Sequence, residues 1–227
     1  NLNLTNVVTQ IHVEENAKVT LNILQNEKQS TSQINLIHAF QQANSEFNIN
    51  TFSLGGELTR NDLNIFVSGQ NCETNLNGIY IANNKQHVDN HTLVDHLMSH
   101  CQSNEIYKGV MSGQSTGVFN GKVYVRPDAQ KINAYQSNAN ILLSDDATIN
   151  TKPELEIYAD DVKCSHGSTT GQLNEEALFY LQARGIGQEQ ARKLLIHAFI
   201  AGVTEQMYDG TFKNIVQELI DNKLSDL

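Results

Sequence analysis

TKPELEIYADDVKCSHGSTTG, residues 151–171, is the stretch on which the reading of this chain turns. Leu155, Ile157 and Ala159 alternate with Glu154, Glu156 and Tyr158, the two-residue period of a strand with one buried face. Asp160 and Asp161 follow, then Cys164, His166 and Gly167. In an extended segment the side chains at i and i+2 project to the same side, which puts the Cys164 thiol and the His166 imidazole together. A soft thiolate and an imidazole suit zinc, copper or iron–sulfur chemistry, but two ligands leave a tetrahedral metal unsatisfied. The remaining ligands must come from elsewhere.

Upstream, the chain is a series of short apolar runs separated by Asn, Ser, Asp and Gly. Residues 19–23, 34–38, 63–67, 79–81, 123–125, 141–143 and 155–157 are the clearest strands. Asn makes up roughly one residue in eight, and Asn is a turn former that tolerates left-handed backbone. Two all-β architectures compete. Asn77-Gly78 and Asn120-Gly121 are hairpin signals that favour an antiparallel sandwich. Very short strands favour a β-helix, in which Asn at the corners stacks from rung to rung and irregular rungs hide any strict repeat. Pattern alone leaves the two open.

Downstream of Gly171 the period becomes helical. Asn174 reads as an N-cap, with Glu175 and Glu176 in the first turn and Leu178, Leu181 and Phe179 on the apolar face. Gly185 fits the position after the last helical residue, Arg184. A second helix is expected over 188–201, with Ala191, Leu194, Leu195, Ala198 and Phe199 on one side and Gly202 ending it. A third carries Phe212, Ile215, Val216, Leu219 and Ile220. The division expected is a β core at 1–172 and a helical domain at 173–227. Such helices serve either as a cap on the solenoid's open edge or as a docking platform.

At 227 residues and 39% hydrophobic content the chain buries a core in one or two domains. Its formal charge of −10, with no cluster of Lys and Arg, argues against a nucleic-acid partner. No apolar run reaches the roughly 18 residues that span a bilayer, so no membrane role is expected. The chain begins at Asn1 without an initiator Met and reads as part of a longer product, from which a targeting segment could have been removed. Cys72, Cys101 and Cys164 form neither an even set nor a metal spacing, which favours a reducing compartment. In HVDNHTLVDHLMSHC, His87/His91 and His96/His100 have i, i+4 spacing, but HEXXH lacks its Glu; turn and core histidines are the simpler reading. The same holds for Tyr107–Lys108 as packing plus a solvated charge, and for Arg126 and Lys131 as lone surface charges. Asp145–Asp146 and Asp160–Asp161 read as turn formers.

LEIYADDVKCSHGSTTGQLNEEALFYLQARGI, residues 155–186, and VDNHTLVDHLMSHCQSNEIYKGVMSGQSTGVFNGKVYV, residues 88–125, resemble the SufD branch of the SufB/SufD family of iron–sulfur cluster assembly proteins. The likeness runs to about Phe199 and covers roughly half the chain. It implies an all-β right-handed parallel β-helix with a C-terminal α-helical domain, preceded in the family by a helical segment not found in this sequence. It implies a non-catalytic scaffold of the SufBCD complex in the bacterial cytoplasm, pairing with a SufB-like subunit through the β-helix and docking a SufC-like ATPase through the helices. His166 and Cys164 match the family's CSHG motif at the cluster-building interface. Asn174, Glu175, Glu176, Leu178, Phe179, Tyr180, Arg184, Leu195 and Phe199 fall in the ATPase-docking region. No cofactor is expected on the chain alone, an iron–sulfur cluster only transiently in the complex, and ATP only through the SufC-like partner, since no Gly-rich phosphate loop is present. A homodimer through the same β-helix surface is the expected state of the isolated chain. The rival reading is an extracellular β-helix polysaccharide lyase or carbohydrate-binding protein, using Asp145, Asp146, Asp160, Asp161 and Arg126; the absence of Trp argues against sugar stacking.

Overall fold

The computed structural model describes residues 3–205, 207 and 210–227. Twelve strands come first: β1 (Asn3–Val13), β2 (Lys18–Gln25), β3 (Thr31–Gln41), β4 (Glu46–Ser53), β5 (Leu58–Val67), β6 (Glu73–Ala82), β7 (His87–His96), β8 (Gln102–Met111), β9 (Thr116–Val125), β10 (Ile132–Leu142), β11 (Thr148–Ile157) and β12 (Val162–Gly171). Three helices follow, α1 (Glu175–Ala183), α2 (Gln188–Thr204) and α3 (Gly210–Ser225). Odd strands form one six-stranded sheet and even strands another, each in simple order, and every pairing is parallel. The chain is therefore a parallel β-helix of six turns, each turn giving one strand to each sheet.

Side chains alternate between the interior and the outer faces, as the pleat requires. Phe47, Ile49, Leu63, Ile65, Leu76, Tyr80, Phe119 and Val123 fill the space between the sheets, together with Cys72 and Cys101. The strands have 8 to 11 residues, longer than the short apolar runs suggest. Polar residues inside the solenoid break those runs: Asn35, Asn61 and Asn90 lie on successive turns and pass a hydrogen bond along, with Asn35 Nδ2 donating to Asn61 Oδ1 at 3.1 Å and Asn61 Nδ2 to Asn90 Oδ1 at 2.9 Å. Each donation satisfies an oxygen on the next turn and offsets part of the cost of burial, while the column ends on Asn90 Nδ2, which is buried without a partner.

Corners repeat as the strands do. Asn16, Asn44, Asn71, His100 and Lys131 all have φ between 58° and 64°, each just before an even strand, and Asn71 Nδ2 donates to Asn44 Oδ1 at 3.1 Å. Asn tolerates this left-handed backbone best, which accounts for three of the five. The two expected hairpin turns are absent. Asn77-Gly78 lies inside β6 and Asn120-Gly121 inside β9. A Cβ on Gly78 would sit 2.3 Å from the Tyr107 ring, and one on Gly121 2.4 Å from Gln136 Nε2. Both glycines make room for a neighbouring side chain, and neither reverses the chain.

Helices α2 and α3 do not close the solenoid's end; they lie along the outer face of the even sheet. Phe52, Leu54, Ile79, Ile81 and Val110 form a second apolar cluster with Ile196, Ile200, Val203, Met207, Val216, Ile220 and Leu224. Lys108 reaches out from β8 to donate to the Phe199 carbonyl, with its ammonium 5.1 Å from the Phe199 ring, so it fastens a helix and is not simply solvated. The buried stripe of α2 is Ala191, Ile196, Ile200 and Val203, displaced from the expected one, and Leu194 is 41% exposed. Apolar residues surround this helix, and the sheet selects the stripe that fits it. Gly202 is helical, and α2 runs on to Thr204. Replacing Gly78 by Ala is expected to cost about 1–3 kcal/mol in urea unfolding. Gly167→Ala, whose Cβ would meet nothing within 4 Å, should stay within about 0.5 kcal/mol.

Candidate functional site

Among the described residues β11 and β12 each have one strand neighbour, β9 and β10. Their outer edges carry unpaired N–H and C=O groups, a template for another strand. Pro153 lies in β11, where a missing donor is tolerated because the strand is at an edge. Ile157 and Tyr158 are exposed at this end.

The inward residues of β10, among them Ile132, Ala134, Gln136, Asn138 and Asn140, are buried. Their partners on β12 are Val162, Cys164, His166, Ser168 and Thr170. These side chains face inward on the last turn, where no further turn covers them. Ser168 Oγ donates to Thr151 Oγ1 across the rung at 3.0 Å. Cys164 and His166 thus share one face, as the i, i+2 spacing predicts, but their surroundings differ. Cys164 is half-buried against the core, and burial pushes its thiol above the ordinary range, against the pull of a backbone hydrogen bond with Ala134. His166 is exposed. It is the accessible member of the pair. Among the described residues no group of three or more His, Cys, Asp or Glu converges on a point.

Directly behind His166 runs a polar column that the sequence reading did not single out. His166 pairs in register with Gln136, and Gln136 with Glu105. Gln136 Nε2 donates to Glu105 Oε2 at 2.7 Å and Thr92 Oγ1 to Glu105 Oε1 at 2.6 Å. Glu105 is 1% exposed, and burial pushes its carboxyl up to about 7 although both hydrogen bonds pull it down. The signal was present: Glu105 falls in phase with the buried Ser103, Tyr107 and Met111.

The other candidates disperse. His87 and His91 lie on the outer face of β7, where His91 Nε2 meets Asp89 Oδ1 at 2.9 Å and Asp89 also meets Arg60. His96 is buried against Ser103 Oγ at 2.9 Å, with burial driving its imidazole down to about 4, and His100 sits in a corner. Arg126 is no lone charge: it clasps Asp95 through two bonds of 3.0 and 2.8 Å and lies 4.2 Å over the Tyr124 ring. Lys131 pairs with Asp161. Asp145–Asp146 and Asp160–Asp161 flank opposite ends of β11, a strand of 10 residues that spans about 30 Å, so they form no common groove.

In the helical region Asn174 Oδ1 caps α1 by accepting from the Ala177 N–H at 2.9 Å, and Glu175 and Glu176 occupy its exposed first turn. Phe179 is 72% and Tyr180 57% exposed, with Arg184 5.0 Å from the Tyr180 ring. Leu178 and Leu195 are half-buried. Phe199 is half-buried too, and packs onto the even sheet. Gly185 has φ 86° and ends the helix as expected.

The family profile described as "SUF system FeS cluster assembly, SufBD core domain" matches residues 1–199. The chain belongs to this family. It is 37% identical over 174 residues to the iron–sulfur cluster assembly protein SufD of Escherichia coli, a match covering 77% of this chain and 41% of that protein. It is 38% identical over 205 residues to Protein ABCI7, chloroplastic, of Arabidopsis thaliana, covering 89% and 43%. A SufBD family protein of Synechocystis is 36% identical over 202 residues, covering 89% and 45%. The chain therefore spans less than half the length of these SufBD relatives. Among the described residues no helix is long and apolar enough to cross a membrane.

The state of Glu105 is measurable. A carboxyl that titrates at about 7 in the fold and near 4.5 in the unfolded chain binds its proton more tightly when native. Its contribution to stability is therefore fully present below about pH 4.5 and is lost as pH rises to about 7. Urea midpoints from about pH 5 to about pH 8 are expected to fall with pH more steeply in the wild type than in Glu105→Gln. Parallel curves would mean that the carboxyl is ionised throughout.

Proposed function

We propose that this chain is a non-catalytic scaffold subunit of an iron–sulfur cluster assembly complex, pairing end-on with a SufB-like subunit and carrying a SufC-like ATPase on its helices. The observation that carries this reading is the placement of His166: an inward-facing column reaches the last turn, and there its imidazole is exposed beside two unpaired strand edges. A second solenoid of the same architecture could continue both sheets across that end. Its side chains would supply the ligands that Cys164 and His166 lack. The cluster is cargo assembled between two chains, and Cys164 contributes only after losing the proton that its burial favours.

The surface at α1 supports the docking role. Phe179 and Tyr180 stand exposed on a helix with no buried residue of its own, and large exposed aromatics are the usual anchors of protein interfaces. ATP enters only through the partner bound there. In isolation the solenoid end is expected to pair with a second copy, since an end that fits a relative presents similar edges to itself. The location that fits this role is the cytoplasm.

Co-purification of the full-length protein with its SufB-like and SufC-like neighbours, followed by anaerobic reconstitution, tests the reading. His166→Ala should leave the complex intact and lower bound iron and sulfide. Phe179→Asp should release the ATPase, at about 2 kcal/mol or more of lost affinity, while the SufB-like subunit stays. Failure of the wild-type chains to associate would refute the scaffold role.

A further inference from the structure

We infer that Glu105 and Gln136 are positioning residues that hold His166 in a single tautomer, one ring N–H donating to Gln136 Oε1 and the other nitrogen kept free as a ligand. This deepens the scaffold reading and rests on it for the use made of the free nitrogen.

The argument starts from an amide that cannot turn round. Once ionised, as at the pH of about 8 used below, the Glu105 carboxylate only accepts hydrogen bonds, and it takes one from Thr92 and one from Gln136 Nε2. The NH2 end of Gln136 must therefore point at Glu105, and its oxygen must point away. Gly121 leaves the room this needs, for a Cβ there would lie 2.4 Å from Gln136 Nε2. Gln136 is 3% exposed. Its Oε1 is buried without a hydrogen-bond partner.

Such an acceptor destabilises the fold unless a donor reaches it. Solvent does not, because the atom is enclosed. The neighbouring Asn138 amide is already committed to Tyr80 Oη at 3.0 Å and to the Tyr107 carbonyl at 3.3 Å. The next member of the Glu105–Gln136 column is His166, on the same inward parity of β12 and paired with Gln136 in register. A ring N–H turned to Gln136 Oε1 would satisfy the acceptor and, in a neutral imidazole, leave the lone pair on the other nitrogen. Histidine ligands are commonly fixed in this way by a partner on the nitrogen that does not ligate. Here the order originates two turns deeper, at a carboxylate that never touches the imidazole.

The test uses full-length protein labelled with 15N-histidine, at about pH 8, where an ordinary imidazole is neutral. Long-range 1H–15N correlation spectra report the tautomer, and His166→Asn identifies the signals. Wild type should show one tautomer of His166. Gln136→Leu should show both in comparable amounts with the other histidines unmoved, and Glu105→Gln should shift the ratio in the same direction, since Gln at 105 no longer dictates the amide's orientation. If Gln136→Leu does not fold, Glu105→Gln and Thr92→Val supply the same readout. A tautomer mixture in wild type, or an unchanged single tautomer in folded Gln136→Leu, overturns the inference. In the reconstituted complex Gln136→Leu should bind iron about 10-fold more weakly. If His166→Ala lowers iron and sulfide while Gln136→Leu leaves the tautomer unchanged, only the positioning claim fails. If His166→Ala leaves both at wild-type levels, the cluster role of His166 fails, and the tautomer spectra still decide the positioning claim by themselves.

Discussion

Parallel pairing of each turn with the next is the constraint on which this structure depends. A strand in the middle of either sheet finds hydrogen-bond partners only on the turns before and after it, at separations of 26 residues for Ser32 with Leu58 and 32 for Thr116 with Thr148. No strand is satisfied by its immediate neighbour in sequence, so the turns stand or fall together as a stack. Register then determines which side chains form columns. It places the Asn35–Asn61–Asn90 amides in one line and Glu105, Gln136 and His166 in another.

The same constraint explains why the end of the stack is its most chemically distinctive part. Inside, a polar residue must be satisfied by the turn above or below, and the buried amides form chains for that reason. At β12 the chain of partners stops. His166, Ser168 and Thr170 inherit inward positions without an inside to occupy, while Cys164 stays half-buried against the core. Side chains that would be core elsewhere become a surface there, flanked by unpaired strand edges.

The helices add a second layer without altering the first. Their contact with Phe52, Ile79, Ile81 and Val110 covers apolar residues that the even sheet would otherwise expose. Lys108 and Lys223 tie the layer down: Lys223 Nζ donates to Asn83 Oδ1 at 3.1 Å and also bonds Gln86, and burial lowers its ammonium to about 8. With α2 and α3 committed to the flank, the solenoid end stays open and α1 keeps Phe179 and Tyr180 outward. One chain thus presents two separate surfaces.

Sequence alone determined the local features. Alternation marked strands around 155–157, Asn174 and Gly185 marked the limits of the first helix, and the Cys164–His166 spacing placed two ligand types on one face. It left the choice between sandwich and solenoid open, because parallel pairing acts between residues some thirty positions apart and corners of unequal length blur the repeat. It misread Asn77-Gly78 and Asn120-Gly121 as turns, since the side chains that need those glycines, Tyr107 and Gln136, come from other turns. Only the tertiary structure decided that His166 is exposed while Cys164 is half-buried, that Arg126 is held by Asp95, and that Glu105 lies buried behind the candidate site. Each depends on which turn lies next to which, and that is set by the stack as a whole.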